Sequence, residues 1–310
     1  MSDSRLCEAP YRQPAAFAPS GPMTVSLALR QPFHAQSLLA FLRQRVVAGL
    51  EACDANAYAR TLRLPHGHGR IALTPRTDRV ECELDLTDAR DLSIAVEGSR
   101  HLFDLDADPG VIDEHLRSDP LLRPRVAKCP GIRVPGHIDG FEAAVRAIVG
   151  QQISVAGART IVSGLVMEFG DRIDTGGALT HLFPTPDAMA AANPGSLPMP
   201  SARGRALVGL AAAVAEGSVV LDRSADRGDV RDALLALPGI GPWTAGYIAL
   251  RALGDPDVFL ATDLGVRKGL ARLEHTSPEP GARTRPDAWR PWRSYSLMHV
   301  WTVASEEDAA

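Results

Sequence analysis

Near Pro109, the spacing of apolar residues changes from that of strands to that of helices, and this change most constrains the fold of the 310-residue chain. Upstream, strand-like apolar runs occupy residues 24–29, 59–64, 69–73, 80–86 and 92–96, and a helical stripe occupies residues 37–50. Downstream, apolar residues recur every three or four positions in successive segments. No strand alternates with these helices, which excludes a Rossmann or barrel fold. The pattern predicts a small α+β domain with an antiparallel sheet, followed by an all-α region.

Capping residues mark the first downstream helices. Asp139 and Ser154 each precede an apolar-periodic stretch, where a side-chain oxygen can accept the first free backbone N–H groups. Gly170 ends the second of these stretches. Further helices are predicted at residues 187–192, 203–216, 229–236, 243–253, 264–273 and 292–304. The segments between them are short, as expected for packed helices.

Composition limits the class of protein. Apolar residues make up 45% of the chain and charged residues 23%, as in soluble globular proteins, and no segment approaches the ~20 apolar residues of a membrane helix. Residues 1–22 lack an apolar secretory core and are predicted to be a flexible leader. The cysteines are too scattered for a metal knuckle or a disulfide framework; they are Cys7, Cys53, Cys82 and Cys129. A cytoplasmic protein without a bound metal is expected.

The segment 237–245, Leu-Pro-Gly-Ile-Gly-Pro-Trp-Thr-Ala, joins two predicted helices through a very short turn. Gly239 and Gly241 can take positive φ and allow close backbone approach, and Ile240 between them can anchor the turn in the core. Pro242 suits the first turn of the second helix, where a missing N–H costs nothing. The unpaired N–H groups there form a ready phosphate site. The pattern is that of a helix-hairpin-helix, although a plain αα turn with glycines has the same local features.

An aspartate follows the hairpin. Asp263 directly precedes a predicted helix whose apolar face carries Val266, Leu270 and Leu273, so it is a preferred N-cap. Capping does not exclude catalysis, because a cap fixes the position of a carboxylate. Every tryptophan of the chain lies in its last 70 residues: Trp243, Trp289, Trp292 and Trp301.

Several segments together resemble the helix-hairpin-helix DNA glycosylases, and among them the AlkA-type DNA-3-methyladenine glycosylases. The segments are 140–156, which includes Gly150-Gln151-Gln152-Ile153-Ser154; 237–245 with Tyr247; 257–260 with Asp263; and 289–295 with His299 and Trp301. They occur in the family's order between about residue 23 and residue 303. The hairpin alone is weakly specific, whereas the hairpin, the aspartate and the Trp-Arg-Pro-Trp stretch together are strongly specific.

The resemblance implies a division into domains. Residues 23–109 would form an α+β N-terminal domain resembling half a TATA-binding protein. Residues 139–256 would form a helical domain containing the hairpin. Residues 110–138 and 257–310 would form a second helical domain that carries the aspartate, with the substrate cleft between the two helical domains.

The resemblance also implies roles for individual residues. Asp263 matches the family's catalytic aspartate. Trp243, Tyr247 and Trp301 match positions that line the base pocket, and aromatic faces suit a cationic alkylated purine. Packing in the core is the alternative for these three aromatic residues. The residues expected to contact DNA are Gly239, Ile240, Gly241, Thr244, Gln151 and Gln152.

Three positions depart from the usual family pattern. Thr262 stands where many members carry a second acid, which leaves Asp263 as the single candidate. Gln152 stands where an apolar wedge usually fills the space left by the flipped base, and an ordinary loop glutamine is the alternative reading. Thr302 stands where an aromatic residue is frequent, which bears on the size of the pocket.

The implied reaction is hydrolysis of the N-glycosidic bond of alkylated purines, such as 3-methyladenine and 7-methylguanine, after base flipping in base excision repair. Trp243 stands where bifunctional relatives carry the lysine that attacks the sugar, and the chain's lysines are Lys128 and Lys268, so no AP-lyase activity is expected. No cysteine follows Cys129 to hold the iron–sulfur cluster of those relatives.

Double-stranded DNA with alkylated bases is the expected partner of a nucleoid-associated monomer. No cofactor is expected, apart from a possible monovalent cation on the carbonyl groups of Leu237 and Ile240. Two other functions fit the same features. One is a non-catalytic helix-hairpin-helix DNA-binding protein, and the other is a glycosylase of the same fold for a different lesion.

The charge of the chain does not by itself indicate a nucleic-acid partner, since 33 Lys and Arg residues face 37 Asp and Glu residues, a net charge of −4. Two segments differ from this average. Residues 117–133 carry five basic residues and one acid, and residues 264–295 carry seven basic residues and three acids, a local +4 in each. The resemblance places both segments in one domain, so salt-sensitive DNA affinity concentrated on one face is expected.

Overall fold

The computed structural model describes residues 20–276 and 286–307, and its N-terminal part is built on one antiparallel sheet. The strand order is β1-β5-β4-β3-β2, with β1 at Ser20–Ala28, β2 at Glu51–Cys53, β3 at Tyr58–Leu64, β4 at Gly67–Pro75 and β5 at Arg79–Leu86. The predicted sheet is confirmed. Residues 20–22 of the predicted leader at residues 1–22 belong to the sheet, because β1 begins at Ser20. Residues 1–19 lie outside the described part of the chain.

Side-chain alternation explains why these segments form a sheet with one buried face. In β5, Val80, Cys82, Leu84 and Leu86 are buried, and the residues between them are partly or fully exposed. Two helices, α1 (Ala35–Arg43) and α2 (Leu92–Leu102), pack against the sheet. The strand β2 has only three residues, too few to show alternation in the sequence.

Two predictions in this region are wrong. Residues 92–96, predicted to be a strand, begin helix α2, because buried small and apolar side chains continue at helical spacing through Ala95, Ser99 and Leu102. A five-residue apolar run fits a strand as well as a helix, so its sequence does not decide between them. The helical stripe at residues 37–50 is helical only to Arg43; beyond it, Val47 and Leu50 are buried in a different core.

From Pro109 onward the regular secondary structure of the described residues is helical, apart from one isolated bridge between Arg172 and His181. The helices are α3 (Pro109–Arg117), α4 (Arg123–Lys128), α5 (Gly140–Val149), α6 (Val155–Phe169), α7 (Pro186–Ala190), α8 (Ser201–Ala215), α9 (Arg227–Ala236), α10 (Pro242–Arg251), α11 (Leu264–Thr276) and α12 (Arg293–Glu307). All helices predicted here are present, with ends shifted by at most three residues. Within the described residues, none of the helices is long and apolar enough to cross a membrane.

The predicted caps are confirmed. Asp139 accepts the N–H groups of Phe141 and Glu142 and begins α5, and Ser154 accepts the N–H of Gly157 and begins α6. These bonds satisfy backbone donors that the helix itself leaves free. Each cap is set by a few neighbouring residues, which is why the sequence predicts it.

The helices are divided between two hydrophobic cores. One core joins the sheet, α1 and α2 to residues of α3, α4, α11 and α12. The other joins α5, α6, α8, α9 and α10 and includes Val47 and Leu50. The helices α3 and α4, which precede the hairpin in the chain, and α11 and α12, which follow it, therefore share a core with the N-terminal sheet. The domain boundaries given above stay a prediction.

Four charged side chains, here called the buried ion cluster, join the sheet to α5: Glu51, Arg60, Glu142 and Arg146, all between 0 and 13% exposed. Arg60 pairs with Glu142, and Arg146 lies 2.6 Å from Glu142 and 2.7 Å from Glu51. Arg146 also donates to the carbonyl oxygen of Arg45 at 2.9 Å. The cluster thus holds the C-terminal end of α1 against α5.

Candidate active site

Three N–H groups hold the carboxylate of Asp263 at the start of α11. The backbone N–H of Val266 donates to Oδ1 at 2.9 Å, which confirms the predicted cap. Nε1 of Trp301 donates to the same oxygen at 3.0 Å, and Nε1 of Trp243 donates to Oδ2 at 3.1 Å. Both oxygens are engaged, so the orientation of the carboxylate is fixed, while the side chain stays partly exposed.

Four aromatic rings, here called the aromatic cluster, lie beside this carboxylate: Phe41, Trp243, Tyr247 and Trp301. Trp243 and Tyr247 stack with centroids 5.4 Å apart and planes inclined by 22°. Trp301 lies 6.4 Å from Tyr247 and 6.2 Å from Phe41. The three aromatic residues singled out in the sequence therefore come together, and each is partly exposed.

Phe41 was missed by the sequence analysis. It is 9% exposed and comes from α1, in the N-terminal part of the chain, where it reads as one more residue of an apolar stripe. Only the tertiary structure brings it to Trp301. The buried ion cluster supports this placement, because Arg146 binds the carbonyl group of Arg45, two residues after the end of α1.

Two arginines behind the aromatic cluster were also missed. Arg251, 2% exposed, donates through Nη1 to the Tyr247 hydroxyl at 3.0 Å, and its other nitrogens bind the carbonyl groups of Pro135 and Gly136. Arg45 lies with its Cζ 3.6 Å from the centroid of the Phe41 ring.

These arginines set the charge distribution around the cluster. Burial alone would raise the pKa of the Tyr247 hydroxyl, but the positive charges of Arg251 and Arg45 outweigh burial and lower this pKa. The aromatic cluster therefore has a carboxylate at one end and guanidinium groups at the other. The one sequence signal for this arrangement is the spacing of Tyr247 and Arg251, four residues apart on one helix.

The hairpin consists of α9, a tight turn and α10. Gly239 has φ of +87°, and a Cβ there would lie 2.7 Å from Cβ of Ala206, so both the backbone and the packing require glycine. Gly241 has φ of −100°, so the expected freedom of positive φ is not used there. Ile240 is 5% exposed and anchors the turn in the core, and Pro242 is the first residue of α10, both as predicted.

The residues predicted to contact DNA lie on this turn and on the neighbouring loop after α5. Ile240 and Thr244 are buried, at 5% and 2% exposure, so their side chains do not present a surface to a ligand. Gln151 donates from Nε2 to the carbonyl oxygen of Gly239 at 3.1 Å and to Oγ1 of Thr244 at 2.9 Å. Gln152 is exposed and has φ of +55°.

Metal ligands are not evident in this region. Across the described residues, His, Cys, Asp and Glu side chains form no group of three that could hold a metal ion. Of the two carbonyl groups considered for a monovalent cation, that of Leu237 already accepts the N–H of Ile240 at 3.2 Å. A carbonyl oxygen has two lone pairs, so this bond leaves room for a second interaction.

The arrangement has a definite chemical capacity. Partly exposed aromatic faces can bind a flat, electron-poor ring by stacking and by attraction to its positive charge. A fixed carboxylate at the edge of those faces can stabilise positive charge that develops beside the bound ring. Backbone N–H groups at the start of α10 can bind a phosphate.

The fold is that of the DNA glycosylases. The solved structure of the 3-methyladenine DNA glycosylase of Archaeoglobus fulgidus resembles it with a TM-score of 0.76 and 20% identity, covering 91% of this chain and 98% of that chain. An 8-oxoguanine glycosylase/lyase of Clostridium acetobutylicum resembles it with a TM-score of 0.60 and 15% identity, covering 81% and 98%. At these identities the likeness concerns the fold alone.

Residues 24–139 match the model of the AlkA N-terminal domain. The DNA-3-methyladenine glycosylase 2 of Escherichia coli is 34% identical, over 87% of this chain and 94% of the relative. The chain therefore belongs to the AlkA family of DNA-3-methyladenine glycosylases. A Mycobacterium tuberculosis protein described as a probable bifunctional transcriptional activator/DNA repair enzyme AlkA is 45% identical over 93% of this chain. The matched region spans 58% of the length of that relative.

Proposed function

We propose that the chain is a monofunctional DNA glycosylase that hydrolyses the N-glycosidic bond of alkylated purines, such as 3-methyladenine and 7-methylguanine, in base excision repair. One observation carries the proposal: the indole N–H groups of Trp243 and Trp301 fix the two oxygens of the Asp263 carboxylate at the edge of the aromatic cluster. The similarity to the Escherichia coli relative, a DNA-3-methyladenine glycosylase 2, supports the same activity.

Substrate binding begins with the DNA backbone. The first N–H groups of α10 bind a phosphate next to the lesion, and the tight turn at Gly239 lets the strand approach. The damaged nucleotide then leaves the stack, at a cost of a few kcal/mol that is smallest for a poorly paired base. Gln152, which is exposed in the loop after α5, then enters the space that the base vacates.

The chemical step uses the charge of the lesion. A purine alkylated on a ring nitrogen is cationic, so it is already a good leaving group and stacks on the aromatic cluster. As the glycosidic bond breaks, positive charge develops on the sugar. Asp263 stabilises this charge or orients the attacking water, and the two indole N–H groups keep it in place.

We propose further that the enzyme leaves the abasic strand intact. A lyase step needs an amine nucleophile at the sugar. Trp243 stands at the hairpin position where bifunctional relatives carry the attacking lysine. The lysines of the chain lie elsewhere, Lys128 at the end of α4 and Lys268 on α11. Double-stranded DNA is the proposed partner of a cytoplasmic, nucleoid-associated monomer, with no cofactor beyond a possible monovalent cation at the carbonyl groups of Leu237 and Ile240.

The test is incubation of the protein with methylated duplex DNA and chromatography of the released bases. Release of 3-methyladenine or 7-methylguanine, with no strand cleavage until alkali is added, is the expected result. Binding to DNA that contains an abasic-site analogue, without release of any base, would instead indicate a non-catalytic DNA-binding protein. Release of oxidised but not of methylated purines would indicate a glycosylase for a different lesion.

A further inference from the structure

Gln151 makes an unusual pair of contacts for a residue of an exposed loop. A side-chain amide carries two N–H donors on its nitrogen. In Gln151, that nitrogen lies 3.1 Å from the carbonyl oxygen of Gly239 and 2.9 Å from Oγ1 of Thr244. Both donors are therefore directed into the hairpin, one to the turn and one to the first helical turn of α10.

The residue that follows has a strained backbone. Gln152 has φ of +55°, a conformation that is unfavourable for residues other than glycine. Such conformations persist where the surrounding structure holds them, and they are concentrated at functional positions. On one side of Gln152 the amide of Gln151 is tied to the hairpin, and on the other side Ser154 caps α6. The loop thus presents an exposed side chain from a fixed position beside the hairpin turn.

We propose that Gln151 is a positioning residue that locks the loop 150–154 to the hairpin, so that Gln152 and the phosphate-binding N–H groups of α10 engage DNA as one unit. This inference rests on the proposed function, because it takes the hairpin as the DNA-binding element. It differs from direct DNA contact by Gln151, since the amide nitrogen has its partners inside the protein.

The first test is Gln151→Met, which keeps the length of the side chain and removes both donors. We expect the Kd for duplex DNA containing a tetrahydrofuran abasic-site analogue to rise about tenfold, which corresponds to about 1.4 kcal/mol. KM for methylated DNA should rise by a similar factor. The kcat should stay within about twofold, because the amide of Gln151 is bonded to Gly239 and Thr244 and not to Asp263 or to a ring of the aromatic cluster.

The second test uses the partner hydroxyl. Thr244→Val removes Oγ1 and keeps the shape of the side chain, whereas Thr244→Ser keeps Oγ1 and serves as the matched control. Thr244→Val should weaken binding of the abasic analogue several-fold, and Thr244→Ser should bind like the wild type. In a Gln151→Met background, Thr244→Val should add less than twofold, because the two changes break the same contact.

The outcomes separate this inference from the proposed function. If the wild type releases methylated bases but Gln151→Met binds the abasic analogue as tightly as the wild type, the positioning role is wrong. Strictly multiplicative effects of Gln151→Met and Thr244→Val would also overturn it. If the role of Gln151 is merely structural, Gln151→Met should lower the Tm, and it should impair kcat as much as KM. Circular dichroism and kinetics together would reveal this outcome. If the wild type releases no base, the proposed function fails, and binding of the abasic analogue still tests the coupling.

Discussion

Asparagine at position 263 would separate the charge of the carboxylate from its structural role. Asn is as good an N-cap as Asp, so Asp263→Asn keeps an acceptor for the N–H of Val266, at 2.9 Å in the native structure. The same oxygen can still accept from Trp301. The amide nitrogen would then replace Oδ2, where it meets Nε1–H of Trp243 at about the present 3.1 Å, one donor facing another.

Two free energies follow from this geometry. A unit negative charge about 4 Å from a cationic sugar contributes about 4 kcal/mol at an effective dielectric constant of about 20. Its loss should slow base release by about 10³-fold. The unsatisfied N–H of Trp243 should cost about 1–3 kcal/mol of folding stability. The loss of activity should therefore be large in a protein that still folds.

Single-turnover release of methylated bases measures the first effect, and urea unfolding measures the second. The chain offers a matched control in Asp119, which accepts Nε1–H of Trp289 at 2.9 Å and the backbone N–H of Leu121 at 2.8 Å. Asp119→Asn should lose similar stability and keep its rate of base release. If Asp263→Asn keeps more than about a tenth of the wild-type rate, or if Asp119→Asn loses as much, a catalytic carboxylate at 263 is refuted.

Three further predictions concern the indole donors, acid stability and the buried ion cluster. Trp301→Phe keeps an aromatic ring but removes one N–H from the carboxylate of Asp263, so single-turnover release should slow about tenfold. An unchanged rate would count against a role of the indole N–H groups in fixing this carboxylate. Burial lowers the pKa of His101 to about 4 and that of His299 to about 3, so only the unfolded state gains these protons between pH 6.5 and 4, and stability falls as the pH falls. From pH 7 to pH 5 the two histidines lower the free energy of unfolding by about 4 kcal/mol. Burial raises the pKa of Asp104 to about 6, so this residue is protonated first in the folded state and raises the free energy of unfolding by about 1 kcal/mol over the same range. Urea unfolding that shows greater stability at pH 5 than at pH 7 would contradict this prediction. Glu142→Gln leaves the two arginines of the buried ion cluster with Glu51 as their one remaining counter-charge in the cluster and should cost about 3–5 kcal/mol in urea unfolding, whereas a loss below about 1 kcal/mol would contradict the importance of the cluster.

The parts of the fold that depend on adjacent residues could be predicted from the sequence. Asp139, Ser154 and Asp263 cap helices because an acceptor side chain two or three positions before a free N–H needs no tertiary contact. The turn at Gly239 is equally local, except for its close approach to α8. Residues 92–96 were assigned wrongly because a short apolar run fits a strand and a helix equally well.

The candidate site shows the limit of such reasoning. Trp243 and Tyr247 stand four residues apart on one helix, so the sequence already places them on one face. Nothing in the sequence joins them to Phe41, whose position depends on how α1 is held against α5. The indole bonds to Asp263 are likewise tertiary, since they join α10, α11 and α12. The residue types were therefore predictable, but their contacts were not.

The same distinction applies to charge. Residues 117–133 and 264–295 each have a net charge of +4, but two of their arginines bind groups within the protein. Arg133 is 1% exposed and donates to the carbonyl groups of Arg30 and Pro32. Arg293 is paired with Asp257 at 2.6 Å. Arg283 and Arg285 lie outside the described residues.

Fewer cationic side chains than the count suggests are thus available to replace counterions along DNA, and each one adds to the salt dependence of binding. Backbone N–H groups at the start of α10 can bind phosphate without adding net charge. A chain with a net charge of −4 can therefore hold a DNA strand, provided that the hairpin geometry set by Gly239 is kept. On this reasoning, the affinity for DNA depends more on the shape of one turn than on the charge of the surface.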